Sequence, residues 1–217
     1  MNVLIGLPAY NEAPVITSVI KKIKKQGFDN ILVIDECSTD NTKQEAPQTG
    51  AKVIRHVVNR GAGAATATLL SYALEQNYDY VIVMDSDGQH DPKDINKLLQ
   101  QKQHNVVIGY RDFKGMPIQR TIANTVGNLV TWFFFGKLVK DSQSGFKMFD
   151  RVAMQNIHIT FDRYEFCSQI IGQIRKHNLT LAQVPIKVIY TDHSLSKGQN
   201  ILNGFKMIMR LLLRWNR

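Results

Sequence analysis

Hydrophobic positions along the chain form short runs that alternate with longer amphipathic stretches. Five runs rich in Val and Ile have the length of buried strands, at residues 2–7, 30–35, 52–56, 80–85 and 105–110. Helical periodicity lies between them, at residues 13–26, 61–76 and 93–103, with a shorter helix predicted at 43–48. This alternation predicts a mostly parallel sheet with helices on both faces.

The pattern changes after residue 110. Residues 118–139 are predicted to be helical and include four consecutive aromatic residues, Trp132 to Phe135. Residues 144–149 and 181–190 are predicted to be strands, and residues 163–177 a helix. Because no repeat, low-complexity tract or linker interrupts the chain, we expect one domain over residues 1–199 and a basic amphipathic helix over residues 200–217.

Composition narrows the class of protein only slightly. A hydrophobic fraction of 44% and a charged fraction of 21% are ordinary for a globular domain of 217 residues. Cys37 and Cys167 are too few for a disulfide framework and fit a reducing, intracellular setting. No signal peptide is expected, nor a spanning helix of about 20 apolar residues. The net charge of +9 favours an anionic partner: nucleic acid, a membrane surface or a phosphorylated substrate.

The basic residues of the last segment recur at helical spacing. Lys206, Arg210, Arg214 and Arg217 form one stripe, and apolar side chains occupy the other faces. This pattern predicts an interfacial helix on an anionic leaflet, with the protein peripheral at the cytoplasmic face of the membrane. The aromatic run at 132–135 is a second candidate for a membrane-facing surface or a prenyl groove. Core packing or a dimer contact is the alternative for both segments.

Two carboxylates stand one residue apart at the end of the predicted strand 80–85. Side chains alternate along an extended chain, so Asp85 and Asp87 share a side where the backbone stays extended. At the mouth of a parallel strand such a pair can hold a hard divalent cation. The plainer interpretation is a strand end followed by an Asp-rich turn.

The first predicted strand-to-helix loop reads Pro8-Ala9-Tyr10-Asn11-Glu12. Its exposed backbone groups, aromatic ring and carboxylate are suited to gripping a base and a ribose. The alternative is an ordinary loop in which Asn11 caps the following helix.

Acidic residues also follow the second predicted strand. Asp35 and Glu36 begin the loop 35–42, where a carboxylate can accept hydrogen bonds from ribose hydroxyls or a nucleobase N–H. Capping of the next helix by residues 38–42 is compatible with that role. A later segment, Asn59-Arg60-Gly61-x-Gly63, lacks the third glycine of a dinucleotide fingerprint. It therefore indicates a closely packed helix start, with Arg60 near the donor.

In this order and spacing, the four motifs resemble those of the inverting glycosyltransferases of family 2. The resemblance implies an α/β architecture of the GT-A type, a Rossmann-like nucleotide-sugar-binding fold with a mixed, mostly parallel sheet flanked by helices. It also implies a set of donor-binding residues: Pro8, Ala9, Tyr10, Glu12, Asp35, Glu36, Arg60, Gly63, Asp85, Ser86 and Asp87.

Later motifs resemble the polyprenyl-phosphate (dolichyl-phosphate) sugar transferases within that family. The segment 85–92 is similar to their Asp-x-Asp-x-Gln-His form, which implies Mg²⁺ or Mn²⁺ at Asp85, Asp87 and Gln89. Segments 119–124, 141–147, 164–166 and 196–197 are similar to their acceptor and donor segments. The contacts implied with the acceptor phosphate are Arg120, Lys147, His193 and Lys197.

The chain departs from the family pattern at three positions. Glu36 and Cys37 stand where Asp and Gly are usual, and Thr191 stands where an arginine is expected. His193 or Lys197 is a candidate for the missing positive charge. These departures leave the sugar and the nucleotide open, so the expected donor is a GDP- or UDP-hexose.

The resemblance implies catalytic roles for Asp87, Arg120 and Glu165. A phosphomonoester is already ionised and needs no base, whereas a saccharide hydroxyl needs one, with Glu165 or Asp162 as candidates. The sequence favours a polyprenyl phosphate acceptor over a hydroxyl acceptor in polysaccharide or capsule synthesis.

Two further classes fit less well. A sugar nucleotidyltransferase is disfavoured because the first loop is not Gly-rich and basic. Nucleic acid is disfavoured as a partner because the loops at the strand ends are acidic. A homo-oligomer or a membrane partner subunit stays open.

Overall fold

The computed structural model describes residues 1–111, 125, 128–129, 132–133, 136, 139–163 and 165–189. Within this part of the chain, seven strands form one sheet in the order β3-β2-β1-β4-β6-β5-β7. The strands are β1 (Val3–Ala9), β2 (Ile31–Asp35), β3 (Lys52–Arg55), β4 (Tyr80–Val83), β5 (Val106–Arg111), β6 (Lys147–Asp150) and β7 (Leu181–Ile186). All neighbouring pairs are parallel except those of β6, which runs antiparallel to both β4 and β5.

Helices cover both faces of the sheet. They are α1 (Ala13–Lys24), α2 (Thr42–Gln48), α3 (Ala62–Glu75), α4 (Ile95–Leu99), α5 (Arg151–Asn156) and α6 (Glu165–Lys176), and a 3-10 turn at Pro92–Asp94 precedes α4. Alternate strand residues enter opposite core layers: Leu4 and Leu32 pack with α3 and α6, whereas Ile5 and Val33 pack with α1. The predicted α/β class is confirmed. None of the described helices is long and apolar enough to span a bilayer.

Several predicted boundaries were wrong. The helix predicted at 93–103 ends at Leu99, since the following Gln-Gln-Lys-Gln run offers no apolar side chain to the core. The strand predicted at 181–190 ends at Ile186, and beyond it a single bridge joins Val188 to His90. Helix α5 was missed because six residues are too short for periodicity to show, although the Asp150 carboxylate caps it by accepting from the Ala153 N–H at 2.7 Å.

Parallel pairing places three loops at one edge of the sheet. Ala9 is in register with Asp35, and Gly6 is in register with Val83. The carboxyl ends of β1, β2 and β4 therefore open onto the same edge, which we call the rim. Ligands of open α/β sheets bind at this edge.

Candidate active site

The first two rim loops are hydrogen-bonded to each other. Asn11 adopts a left-handed backbone with φ of 55°. Its N–H donates to Ser38 Oγ at 2.9 Å, and its side-chain oxygen accepts from the Thr39 N–H at 2.8 Å. Asn11 is thus a loop-to-loop brace and not a cap of α1, whose N-cap is Glu12 without a side-chain cap. The neighbouring Tyr10 ring is 44% exposed at the rim.

Asp35 carries a buried carboxylate oxygen without a hydrogen-bond donor. Its Oδ1 accepts from the Ser38 N–H at 3.1 Å, and its Oδ2 lies 3.5 Å from the Arg55 guanidinium. Among the described residues, no group forms a hydrogen bond with that Oδ2. Leaving such an acceptor unsatisfied costs about 1–3 kcal/mol, so the atom is suited to a ligand N–H or O–H.

The side chain of Glu36 turns into the protein. Its Oε2 accepts from the N–H groups of Arg60 and Gly61, both at 2.8 Å, and its Oε1 lies 2.8 Å from His56 Nδ1. These contacts brace the loop 59–61 against the end of β2, and the donor contact of Glu36 stays a prediction. The extra methylene relative to Asp extends the carboxylate toward the loop 59–61.

Gly63 packs against a distant backbone segment. Its N–H donates to the Asp162 carbonyl at 2.8 Å, and a Cβ here would lie 2.1 Å from the Phe161 carbonyl oxygen. The expectation of close packing at this helix start is therefore met, and a donor contact by Gly63 stays a prediction. Arg60 pairs with the Asp162 carboxylate at 2.7 Å, which ties the same two segments together at the surface.

The segment after β4 turns sharply at the rim. Ser86 is buried and donates its hydroxyl to the Pro8 carbonyl at 2.6 Å, so it joins two strand ends and does not face the rim. Gly88 has φ of 80°, a left-handed conformation that glycine adopts without strain. The turn brings the Gln89 N–H within 2.9 Å of Asp87 Oδ1.

Asp85 is held on two sides. Its Oδ2 lies 3.0 Å from His90 Nε2, and its carboxylate lies against the α-carbon of Gly145. Burial alone would raise the pKa of Asp85, but the hydrogen bond with His90 and the charges of Arg111 and Lys147 lower it. The Asp85 side chain nevertheless keeps 47% of its surface exposed, so its carboxylate is accessible to a ligand.

Asp87 has the opposite electrostatic setting. Burial and the negative charge of Asp85 raise its pKa to about 6, with a smaller contribution from Glu12. At neutral pH the rim therefore holds two adjacent carboxylates whose mutual repulsion a cation would relieve.

The donor set at this point fits a magnesium-type ion. In the described ranges, no three or more His, Cys, Asp or Glu side chains converge as a self-sufficient metal site. Mg²⁺ usually takes only one or two carboxylates from a protein, and substrate phosphates complete its shell. Asp85 and Asp87, with the neighbouring amide of Gln89, meet that requirement.

The ion pair between Arg111 and Asp141 was missed by the sequence reasoning. The fully buried Asp141 carboxylate accepts from Arg111 Nε at 2.6 Å and from Nη2 at 2.9 Å. This bidentate ion pair connects the end of β5 to the segment before β6. The only sequence signal was an acid three residues before the Ser-Gly-Phe triplet.

Lys147 is buried, with 2% of its surface exposed. Its ammonium donates to the Ser144 carbonyl and lies 3.6 Å from Cys167 Sγ, so it sits beneath Gly145. The acceptor-phosphate contact expected of Lys147 stays a prediction. Glu165 is buried in the first turn of α6. Arg120, Tyr164, Thr191, His193, Lys197 and the segment 200–217 lie outside the described residues.

The order of the strands and the acidic residues at the rim indicate the class of protein to which this chain belongs. Glucosyl-3-phosphoglycerate synthase from Mycobacterium tuberculosis, in complex with Mn²⁺, UDP and glucosyl-3-phosphoglycerate, has a similar fold. The TM-score is 0.77 at 20% sequence identity, over 97% of this chain and 77% of that chain. The architecture is that of the GT-A glycosyltransferases. The profile described as glycosyl transferase family 2 matches residues 4–158, and the chain belongs to that family.

Curated relatives extend the similarity over almost the whole chain. The UDP-N-acetylglucosamine–dolichyl-phosphate N-acetylglucosaminyltransferase of Methanococcus voltae is 34% identical, over 95% of this chain and 93% of that protein. The polyprenol monophosphomannose synthase of Mycolicibacterium smegmatis is 23% identical, over 98% of this chain and 86% of that protein. The predicted family, the GT-A fold and the glycosyltransferase activity are confirmed.

Proposed function

We propose that this enzyme transfers a sugar, with inversion, from a nucleotide-sugar to a polyprenyl phosphate in a reaction that requires Mg²⁺ or Mn²⁺. The observation that carries the proposal is the pair Asp85 and Asp87 at the rim, where the pKa of Asp87 is raised to about 6 by burial and by the charge of Asp85. Relatives that act on dolichyl phosphate and polyprenol phosphate support the acceptor class.

The donor would lie across the two braced loops toward the carboxylates. The unsatisfied Oδ2 of Asp35 is an acceptor for a nucleobase N–H, and the exposed Tyr10 ring offers a stacking surface. A bound divalent cation would act as a Lewis acid on the leaving diphosphate. Asp85 and Asp87 would hold it there. Of the GDP- and UDP-hexoses, a UDP-sugar is the first candidate, since the relative at 34% identity uses UDP-N-acetylglucosamine.

The acceptor class is inferred from the two candidate bases, Asp162 and Glu165, both of which lie among the described residues. Asp162 is engaged by Arg60 at 2.7 Å, and Glu165 is buried in α6. A saccharide hydroxyl would need a general base, whereas an ionised phosphomonoester would not, so the ion pair of Asp162 and the burial of Glu165 favour the phosphate acceptor. Arg120, Lys147, His193 and Lys197 remain the predicted contacts of the acceptor phosphate.

An acceptor assay tests the proposal. UDP-N-acetylglucosamine, UDP-glucose and GDP-mannose are each incubated with dolichyl phosphate, undecaprenyl phosphate or an octyl glycoside. We expect glycolipid only from a polyprenyl phosphate, and a loss of about 100-fold or more when EDTA removes the metal. Product from the octyl glycoside alone would replace the lipid acceptor with a hydroxyl acceptor. Undiminished transfer in EDTA would remove the cation.

A lipid acceptor requires the enzyme to reach a membrane, and one apolar patch is suited to this. Trp132 and Phe133 follow Leu129 by three and four residues at helical positions, and all three side chains are exposed. We propose that this patch and the basic segment 200–217 together contact the anionic cytoplasmic leaflet.

Phe133→Glu is expected to weaken binding to vesicles of anionic phospholipid by about 10-fold. The change replaces apolar area that would enter the bilayer with a negative charge that the anionic lipids repel. Cosedimentation measures the effect. Val152→Glu introduces the same charge on an exposed valine of α5 and serves as the control. Deletion of residues 203–217 should also reduce binding. Equal partitioning of all variants would reject the membrane contact.

A further inference from the structure

His90 is a buried residue that contacts the carboxylate of Asp85. The ring is buried, and its Nε2 lies 3.0 Å from Asp85 Oδ2. The imidazole ring also packs against the Phe146 ring, with an interplanar angle of 41° and 5.1 Å between the ring centroids. Gly145, next to Phe146, also lies close to the carboxylate, since a Cβ there would be 2.2 Å from Asp85 Oδ1. The Asp85 carboxylate therefore lies close to both the His90 ring and the Gly145 backbone.

Nδ1 of His90 indicates that histidine is not the most stabilising side chain for this position. An ionised carboxylate only accepts hydrogen bonds, so Nε2 is the nitrogen that carries the hydrogen toward Asp85. Nδ1 is buried without a hydrogen-bond partner among the described residues. Such an orphan costs about 1–3 kcal/mol, whereas a phenylalanine would fill the same space without that cost. What the imidazole supplies and a phenylalanine would not is the Nε2–H toward Asp85.

The backbone of His90 is fixed by the chain beyond β7. His90 forms an isolated antiparallel bridge with Val188, and the Ile189 N–H donates to the Gln89 carbonyl at 2.8 Å. Asp94 Oδ2 accepts from the Lys187 N–H at 2.6 Å. The segment 187–189 therefore sets where the His90 ring stands, and it leads directly to residues 190–197.

We propose that His90 is a positioning residue that fixes the orientation of Asp85 toward the cation, and that the pairing of residues 187–189 holds His90 in place. The inference rests on the proposed metal-dependent function. Partners that hydrogen-bond a metal-binding carboxylate restrict its orientation, and their loss typically lowers metal affinity or activity by about 10–100-fold.

Mn²⁺ titration of three variants tests this role. His90→Phe keeps a ring against Phe146 but removes the donor, and His90→Gln keeps an N–H at a similar reach. We expect Mn²⁺ affinity to fall about 10–100-fold in His90→Phe and to recover in part in His90→Gln. His104→Phe is the matched control, since His104 also has a buried Nδ1 without a partner in the described part of the chain but lies in the turn before β5. Its Mn²⁺ affinity should equal that of the wild type.

Free Mn²⁺ is measured by electron paramagnetic resonance, with the ion alone and with UDP, beside the metal-free Tm of each variant. Wild-type affinity in His90→Phe, or equal loss in the Phe and Gln variants, would overturn the inference. Asp87→Asn in the same titration separates the two hypotheses. Normal binding there removes the metal site itself, whereas loss there with normal binding in His90→Phe removes only the role of His90. If His90→Phe does not fold, His90→Gln is compared with His90→Asn, whose shorter amide stands at the Nδ1 position and not at Nε2. His90→Gln should then bind Mn²⁺ more tightly than His90→Asn. Equal binding by these two variants would reject the inference.

Discussion

Asp87→Asn should abolish sugar transfer, by about 1,000-fold or more, while making the metal-free protein more stable. The loss follows because an amide is a poor replacement for a carboxylate that holds a divalent cation against a diphosphate. The gain follows because Asp87 stands beside Asp85, and the two charges repel each other when no cation is present. Opposite signs on activity and stability distinguish a functional carboxylate from a structural one.

The stability change of Asp87→Asn has a defined pH window. The pKa of Asp87 is raised from 3.8 to about 6, so folding disfavours its charged form. This cost is absent below the lower value, grows between the two values, and is complete above the upper one. At alkaline pH the asparagine should stabilise the metal-free enzyme by about 1 kcal/mol after allowance for screening, about 2–4 °C in Tm. Near the lower pKa the difference should vanish.

Calorimetry with and without Mn²⁺ checks both effects of Asp87→Asn. Added Mn²⁺ should raise the Tm of the wild type but not that of the variant. Asp29→Asn is the control, since Asp29 is exposed in the loop before β2, at the opposite edge of the sheet. A variant of Asp87 that transfers sugar at the wild-type rate would remove the cation from the proposed mechanism.

The position of the rim was predictable from sequence because it depends on local patterns and one topological rule. Polar residues follow the runs that end at residues 35 and 85, and parallel neighbours open at the same edge. Asp35 and Asp85 were therefore expected at the same edge of the sheet once the parallel order was assumed. The register of Ala9 with Asp35 and of Gly6 with Val83 confirms this.

The direction of individual side chains was not predictable in the same way. Glu36 follows Asp35 directly, and only the position of the loop 59–61 decides that its carboxylate turns inward. Arg60 meets Asp162 from a distance of 102 residues along the chain, a contact that no local pattern contains. His90 faces Asp85 because the backbone reverses at Gly88, whose φ of 80° is a property of the folded turn. Sequence therefore located the acids, and tertiary contacts decided which protein groups each of them meets.

Gly145 is the position where a single methyl group should disturb the site most. An ideal Cβ at Gly145 would lie 2.2 Å from Asp85 Oδ1 and 2.4 Å from Oδ2, far inside contact distance. The backbone has little freedom to retreat, because Phe146 is fully buried and its carbonyl accepts from the Gly109 N–H at 2.9 Å. The Asp85 carboxylate is the movable part, so Gly145→Ala should rotate it out of place.

Gly145→Ala is therefore expected to lower kcat/KM by about 100-fold or more and to weaken Mn²⁺ binding, with a smaller effect on Tm. Gly109→Ala makes the complementary comparison, since its Cβ would meet an Ile186 methyl carbon at 2.7 Å. That variant should lose stability through overpacking, by about 1–3 kcal/mol, and keep its Mn²⁺ affinity. Joint measurement of Mn²⁺ affinity and Tm separates the two effects. Full Mn²⁺ affinity in Gly145→Ala would mean that the Ser-Gly-Phe segment does not set the orientation of Asp85.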